Sequence, residues 1–300
     1  MRKPRSHSPD GVPDLPAMPG WVGGGAVEAI ETAAFRSGAA LAHLQVLAAD
    51  PALPLALLRD RLALAAAEVC VGAAGRREGQ AALRDALHLT KPGDDSGPAG
   101  RILRLWSQAV TRPVSVGGLA KVLEGVPADR IASSLDAGGA TPVGRAAVAL
   151  ESVLTDSPRG ETAALVLADA VLSHSLGWDH LVPLISVALR PRALRLRGDE
   201  LRLACHRAVA EGAGQAVALA ADLARRAVRM RAAAPKLRAK GAARAVELFL
   251  ARDAVAPAAL AREVQGSMSD RAARRLCDRL VDLGALRELT GRDTFRLYGL

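Results

Sequence analysis

Apolar residues recur at helical spacing along most of the chain. Residues 26–49, AVEAIETAAFRSGAALAHLQVLAA, and residues 53–74 repeat Ala, Leu and Val three and four positions apart, the pattern of helices built from good helix formers with one face in a core. Residues 77–89, REGQAALRDALHL, form another such segment. The run TKPGDDSGPAG at 90–100 ends it, because proline and repeated glycine do not continue a helix. The periodicity resumes at 101–110 around Trp106 and predicts further helices at 119–124, 127–135, 142–154, 161–175, 181–189 and 199–210. Residues 213–233 predict a long helix whose later turns carry Arg225, Arg226, Arg229 and Arg231, stopping before Pro235, which cannot sit inside a helix without breaking it.

The pattern changes after residue 236. In 239–253, Ala242, Ala245, Val246, Phe249 and Leu250 share one helical face. Pro257 suits a first helical position and Gly266 a C-terminal stop, so 257–264 reads as a short helix. In SMSDRAARRLCDRLVDLG, Ser267 or Ser269 can cap the start, Asp270 suits the positive end of the dipole and Gly284 can close the far end. Ala273, Leu276, Leu280 and Leu283 form the apolar stripe of this helix, with Arg271, Arg274, Arg275 and Arg279 on the opposite faces. LREL, TGRD and TFRLY then read as strand, turn and strand, with Gly291 at a positive φ. Alternation points Phe295 and Leu297 inward and Thr294, Arg296 and Tyr298 outward. The expected layout is a disordered tail at 1–25, a helical domain at 26–212, a connecting helix at 213–235 and a C-terminal domain at 236–300.

Composition sharpens this layout in two places. Only 2% of residues are aromatic, yet Phe295 and the single tyrosine, Tyr298, fall in the last six positions, where a small domain needs large side chains. The formal charge is +9, a balance that favours polyanionic partners, although arginine excess with abundant alanine is also what a GC-rich coding bias produces. Placement is therefore more informative than the total: residues 225–300 hold seventeen Lys or Arg against eight Asp or Glu. The remainder is close to neutral. Cys70, Cys205 and Cys277 are scattered without CxxC spacing, which fits a reducing cytoplasm. The N-terminal run is rich in Pro, Ser and Gly and lacks the apolar stretch of a signal peptide. No uncharged run reaches the ~20 residues of a membrane span, so no membrane partner is expected.

Helix, short helix, basic helix and a hairpin directly after a glycine resemble a winged helix-turn-helix over residues 236–300. The resemblance implies a mainly α chain: a multi-helix N-terminal domain followed by a C-terminal winged helix-turn-helix with a small β-hairpin. It also implies double-stranded DNA as partner, since the third helix of such a module enters the major groove while nearby basic and polar groups hold phosphates. Carried onto this sequence, Arg271, Arg274 and Arg275 lie nearest the groove, Ser269 and Arg279 flank them, Arg292, with Asp293 at the wing tip, reaches phosphate or the minor groove, and Arg296 stays available outside. Two other readings stay open: a hairpin that only seals a helical core beneath a solvated arginine face, and a winged helix that docks a protein.

The phrase DRAARRLCDRLVDLGALRELTGRDTFRLYGL is also similar to the winged helices at the C-termini of bacterial Fic-type proteins, whose catalytic HPFxxGNGR sequence does not occur here. Over nearly the whole chain after the tail, ALRDALHLTKPGDDSGPAGR, LADAVLSHSLGWDHLVPLI and APKLRAKGA are similar to an alphaproteobacterial family known as domain of unknown function 1403. That family carries no catalytic residues to transfer.

Chemistry is sparse. Asp85 and His88 stand three apart on a helix with Asp94 and Asp95 following, a cluster whose donors suit a metal. Pairing of Asp85 with Arg84 or a neighbouring arginine, and capping of the next helix by Asp94 or Asp95, is the stronger expectation. Asp169, His174, Asp179 and His180 surround LGW, where Asp179 is expected to cap a helix and Trp178 to pack the turn. Cys205 and His206 are adjacent and point about 100° apart, so they form no nucleophile–base pair. GxSxG, Walker A, GxGxxG and HExxH are absent. The expected function is that of a non-enzymatic, regulatory DNA-binding protein without cofactor, its helical domain serving oligomerisation or partner binding; the alternative is a protein-interaction adaptor.

Overall fold

The computed structural model describes residues 15–23, 29–91, 93–264 and 268–300. The fold is mainly helical, with fourteen α-helices and one two-stranded sheet among the described residues. The N-terminal part comprises α1 (Gly20–Gly23), α2 (Ile30–Ala48), α3 (Leu55–Ala73), α4 (Gln80–His88), α5 (Gly97–Thr111), α6 (Val116–Ala120), α7 (Ala128–Leu135), α8 (Pro142–Asp156), α9 (Glu161–Ser175) and α10 (Ile185–Ala188). A 3-10 turn, Pro191–Arg195, leads into α11 (Gly198–Ala233). The helix predicted at 161–175 is found end to end. Part of the expected tail is folded as well: Val22 of α1 is buried, and Trp21 stacks on Phe35 of α2 at 5.4 Å.

Two expectations are corrected in this region. The segments 199–210 and 213–233 are one helix of 36 residues, about 54 Å long, because Gly212 keeps helical geometry and serves packing: a Cβ there would lie 2.2 Å from the Leu184 carbonyl oxygen. Glycine thus lets the chain before α10 press onto α11. The predicted helix at 181–189 shrinks to Ile185–Ala188, since Pro183 removes a donor and His180 instead bridges to Pro113.

α11 packs against α2, α8 and α10, while α3 packs against α5 and α8 against α9. Trp106 is fully buried and donates its indole N–H to Cys70 Sγ at 3.4 Å. All three cysteines are buried, and burial pushes the Cys70 thiol up to about 11 and those of Cys205 and Cys277 to about 12, leaving them unreactive.

The C-terminal part contains α12 (Ala242–Ala251), α13 (Pro257–Glu263), α14 (Asp270–Asp282), β1 (Arg287–Glu288) and β2 (Tyr298–Gly299). The predicted face of α12 is buried throughout, and Pro257 opens α13. Gly266 and Ser267 lie outside the described residues. The apolar core continues from Val22 through to Leu300, so both parts of the chain share it.

Candidate nucleic-acid interface

The third C-terminal helix starts where a capping residue allows it. Ser269 adopts an extended backbone and accepts a hydrogen bond from Ala272 N–H at 3.3 Å, satisfying one of the free donors at the helix start. Ala273, Leu276, Cys277 and Leu280 point into the core. Arg271, Arg274, Arg275 and Arg279 are exposed on the other side, and none of them makes an ion pair among the described residues. At 13 residues, the helix presents about 20 Å of this surface. Asp278 beside the arginines accepts the Tyr298 hydroxyl at 3.1 Å.

The hairpin is smaller than predicted and oriented differently. β1 and β2 pair antiparallel, Arg287 opposite Gly299 and Glu288 opposite Tyr298. Leu289 N–H donates to the Leu297 carbonyl at 2.8 Å. On its other edge Tyr298 exchanges backbone hydrogen bonds of 2.9 and 3.0 Å with Val255, in the connection between α12 and α13. β2 is therefore flanked on both edges.

Two side-chain positions expected from alternation are corrected. Phe295 is 73% exposed, whereas Tyr298 is buried beside Leu297. The physical reason is backbone: Phe295 has φ of 56°, which turns the chain before pairing begins, so the period-two pattern does not extend back to Thr294. Arg292 and Arg296 are exposed at the tip. Arg292 reaches Asp85 of α4, and Arg296 donates to the Arg292 carbonyl at 2.9 Å. Asp85 thus pairs with an arginine 207 positions away, not with its neighbour Arg84.

Arg84 is committed elsewhere, in a joint that sequence reasoning missed. Asp253, 4% exposed, follows α12 and is ion-paired with Arg61 of α3 and Arg84 of α4. Its backbone N–H donates to Asp60 Oδ2 at 2.9 Å. Burial raises the Asp60 carboxyl above its ordinary range and lowers the Arg61 guanidinium. Arg61 also donates to the Leu300 carbonyl at 2.8 Å. Nothing local in RDAV distinguishes Asp253 from a surface aspartate, because its partners lie almost 170 residues or more away.

The other candidate clusters come apart. Burial lowers the pKa of His88, Asp95 pairs with Arg101 while accepting from Gly97 N–H at 3.0 Å, and Asp85 serves Arg292. Among the described residues no group of three or more His, Cys, Asp or Glu is placed to hold a metal. Asp179 does not cap the following helix; Asp169 does, from α9, accepting from Leu184, Ile185 and Ser186 N–H at 3.0, 2.8 and 3.1 Å. Trp178 packs on the core and donates to Gln45. Among the described residues no helix is long and apolar enough to cross a membrane.

No curated protein matches the chain. The family described as Protein of unknown function (DUF1403) matches residues 6–300, and on that match the chain belongs to this family.

Proposed function

We propose that this protein binds double-stranded DNA through a C-terminal winged helix-turn-helix, acting as a regulator with α14 as the groove-facing helix. The order α12, Val255, α13, α14 and hairpin supports this reading, with Val255 bridging to Tyr298 of β2. The observation that carries it is the outward face of α14: four exposed arginines without carboxylate partners among the described residues. Unpaired guanidinium groups on a helix attract phosphate and can reach guanine edges. The wing contributes less, because Arg292 is held by Asp85.

The test is fluorescence anisotropy of the full chain on duplex DNA at two salt concentrations. Binding that weakens steeply with salt is expected, and replacing Arg271, Arg274 and Arg275 by Ala weakens it and flattens its salt dependence without unfolding the protein. Absence of binding at low salt contradicts the reading.

Phe295 favours a second reading. A large apolar ring 73% exposed between Arg292 and Arg296 suits a partner protein with an apolar pocket and acidic rim. A pull-down that survives the triple arginine substitution and fails with Phe295→Ala selects the adaptor.

A further inference from the structure

Between α2, α11 and the 3-10 turn after α10 lies a cavity of about 1000 Å³, at the upper end of the usual size of organic-ligand pockets. Its wall is mixed. Val22, Leu189, Leu196 and Ala204 supply apolar surface, while Arg190, Arg192 and Arg207 line it from two different elements. Those three arginines are exposed and make no ion pair or side-chain hydrogen bond among the described residues. The one carboxylate in the wall, Glu211, accepts from Gln215 at 3.4 Å.

A buried polar group completes the site. His206 is 3% exposed, and its ring lines the cavity. Its Nδ1 lies 2.8 Å from Ser37 Oγ, which fixes the ring. Its Nε2 has no protein partner among the described residues. A ring nitrogen at the cavity wall can donate or accept one hydrogen bond to a polar atom of a bound molecule. Guanidinium groups select carboxylate or phosphate, with which they form paired hydrogen bonds; the aliphatic wall selects hydrocarbon.

We propose that this cavity binds an amphiphilic organic anion, its carboxylate or phosphate held by Arg190, Arg192 and Arg207, its hydrocarbon body lying on the apolar wall, and a polar atom meeting His206 Nε2. The inference stands independently of DNA binding, because α14 contributes nothing to the cavity.

Isothermal titration of the full chain with octanoate and octyl phosphate tests it, with octan-1-ol and acetate as controls lacking one half of the chemistry. One saturable site for at least one of the two anions is expected, with both controls at least about ten-fold weaker. Arg190→Ala with Arg207→Ala weakens binding about ten-fold or more with an unchanged circular dichroism spectrum. Ala204→Phe, which fills the cavity from α11, abolishes it while the protein stays folded, and this variant decides the matter if the double variant does not fold. No binding of either anion, equal binding of octan-1-ol, or full affinity in the folded Ala204→Phe variant overturns the proposal. Binding lost on replacing Arg271, Arg274 and Arg275 would place the anion on α14 and overturn it equally.

Discussion

Asp169 is a carboxylate with no exposed surface that holds the start of α10 through three backbone N–H groups and the Ser186 hydroxyl. Replacing it with Asn removes one acceptor oxygen and orphans buried donors, at a cost on the order of 3 kcal/mol, which thermal or urea unfolding will report. Its titration adds a signed pH dependence. Burial, opposed by its hydrogen bonds, raises the carboxyl from 3.8 to about 6, so between those values the folded state holds more protons than the unfolded one. The stabilisation from this group is complete below pH 4 and is lost as pH rises through about 6. The stability gap between wild type and Asp169→Asn therefore widens as pH falls from 7 to 4; a constant gap contradicts the assignment.

At the scale of elements, the C-terminal helices and hairpin are fastened to α3 and α4 through Asp253. Removing its charge leaves the buried guanidinium groups of Arg61 and Arg84 unpaired, so Asp253→Asn is expected to cost about 3–5 kcal/mol in chemical unfolding. Gly299 belongs to the same joint. A Cβ there would stand 2.3 Å from the Asp253 carbonyl oxygen, and Gly299→Ala must shift β2, at a cost of about 1–3 kcal/mol. Arg292→Ala, by contrast, breaks a partly exposed pair with Asp85 and is expected to change stability by about 1 kcal/mol or less.

These contrasts also show what local pattern carries. The stripes of α12 and α14, the Pro257 start, the Ser269 cap and the positive φ of Gly284 and Gly291 were legible because each is decided within a few residues. The continuity of α11 was not, since two glycines there look like a break until Leu184 is seen packing on one of them. The inward face of the hairpin was misread because the turn at Phe295 resets the alternation. The Asp253 joint and the Ser37–His206 contact join residues 169 apart, beyond any local signal. The cavity arginines did leave one: LRPRALRLR places four arginines in eight positions, 190–197, a density that the bulk charge of the N-terminal region conceals.

Across the whole molecule, the arginines of α14 face away from the core and the cavity arginines gather where α10 meets α11, two separate sets of guanidinium groups without ion-pair partners among the described residues. The first carries the central claim, and the slope of log K against log salt concentration measures it most directly. For the full chain on duplex DNA the slope is set by the number of phosphates engaged. With Arg271, Arg274 and Arg275 replaced by Ala, a slope shallower by about three units at an unchanged melting temperature is the predicted result. An unchanged slope in the folded triple variant would contradict the assignment of α14 as the DNA-contacting helix.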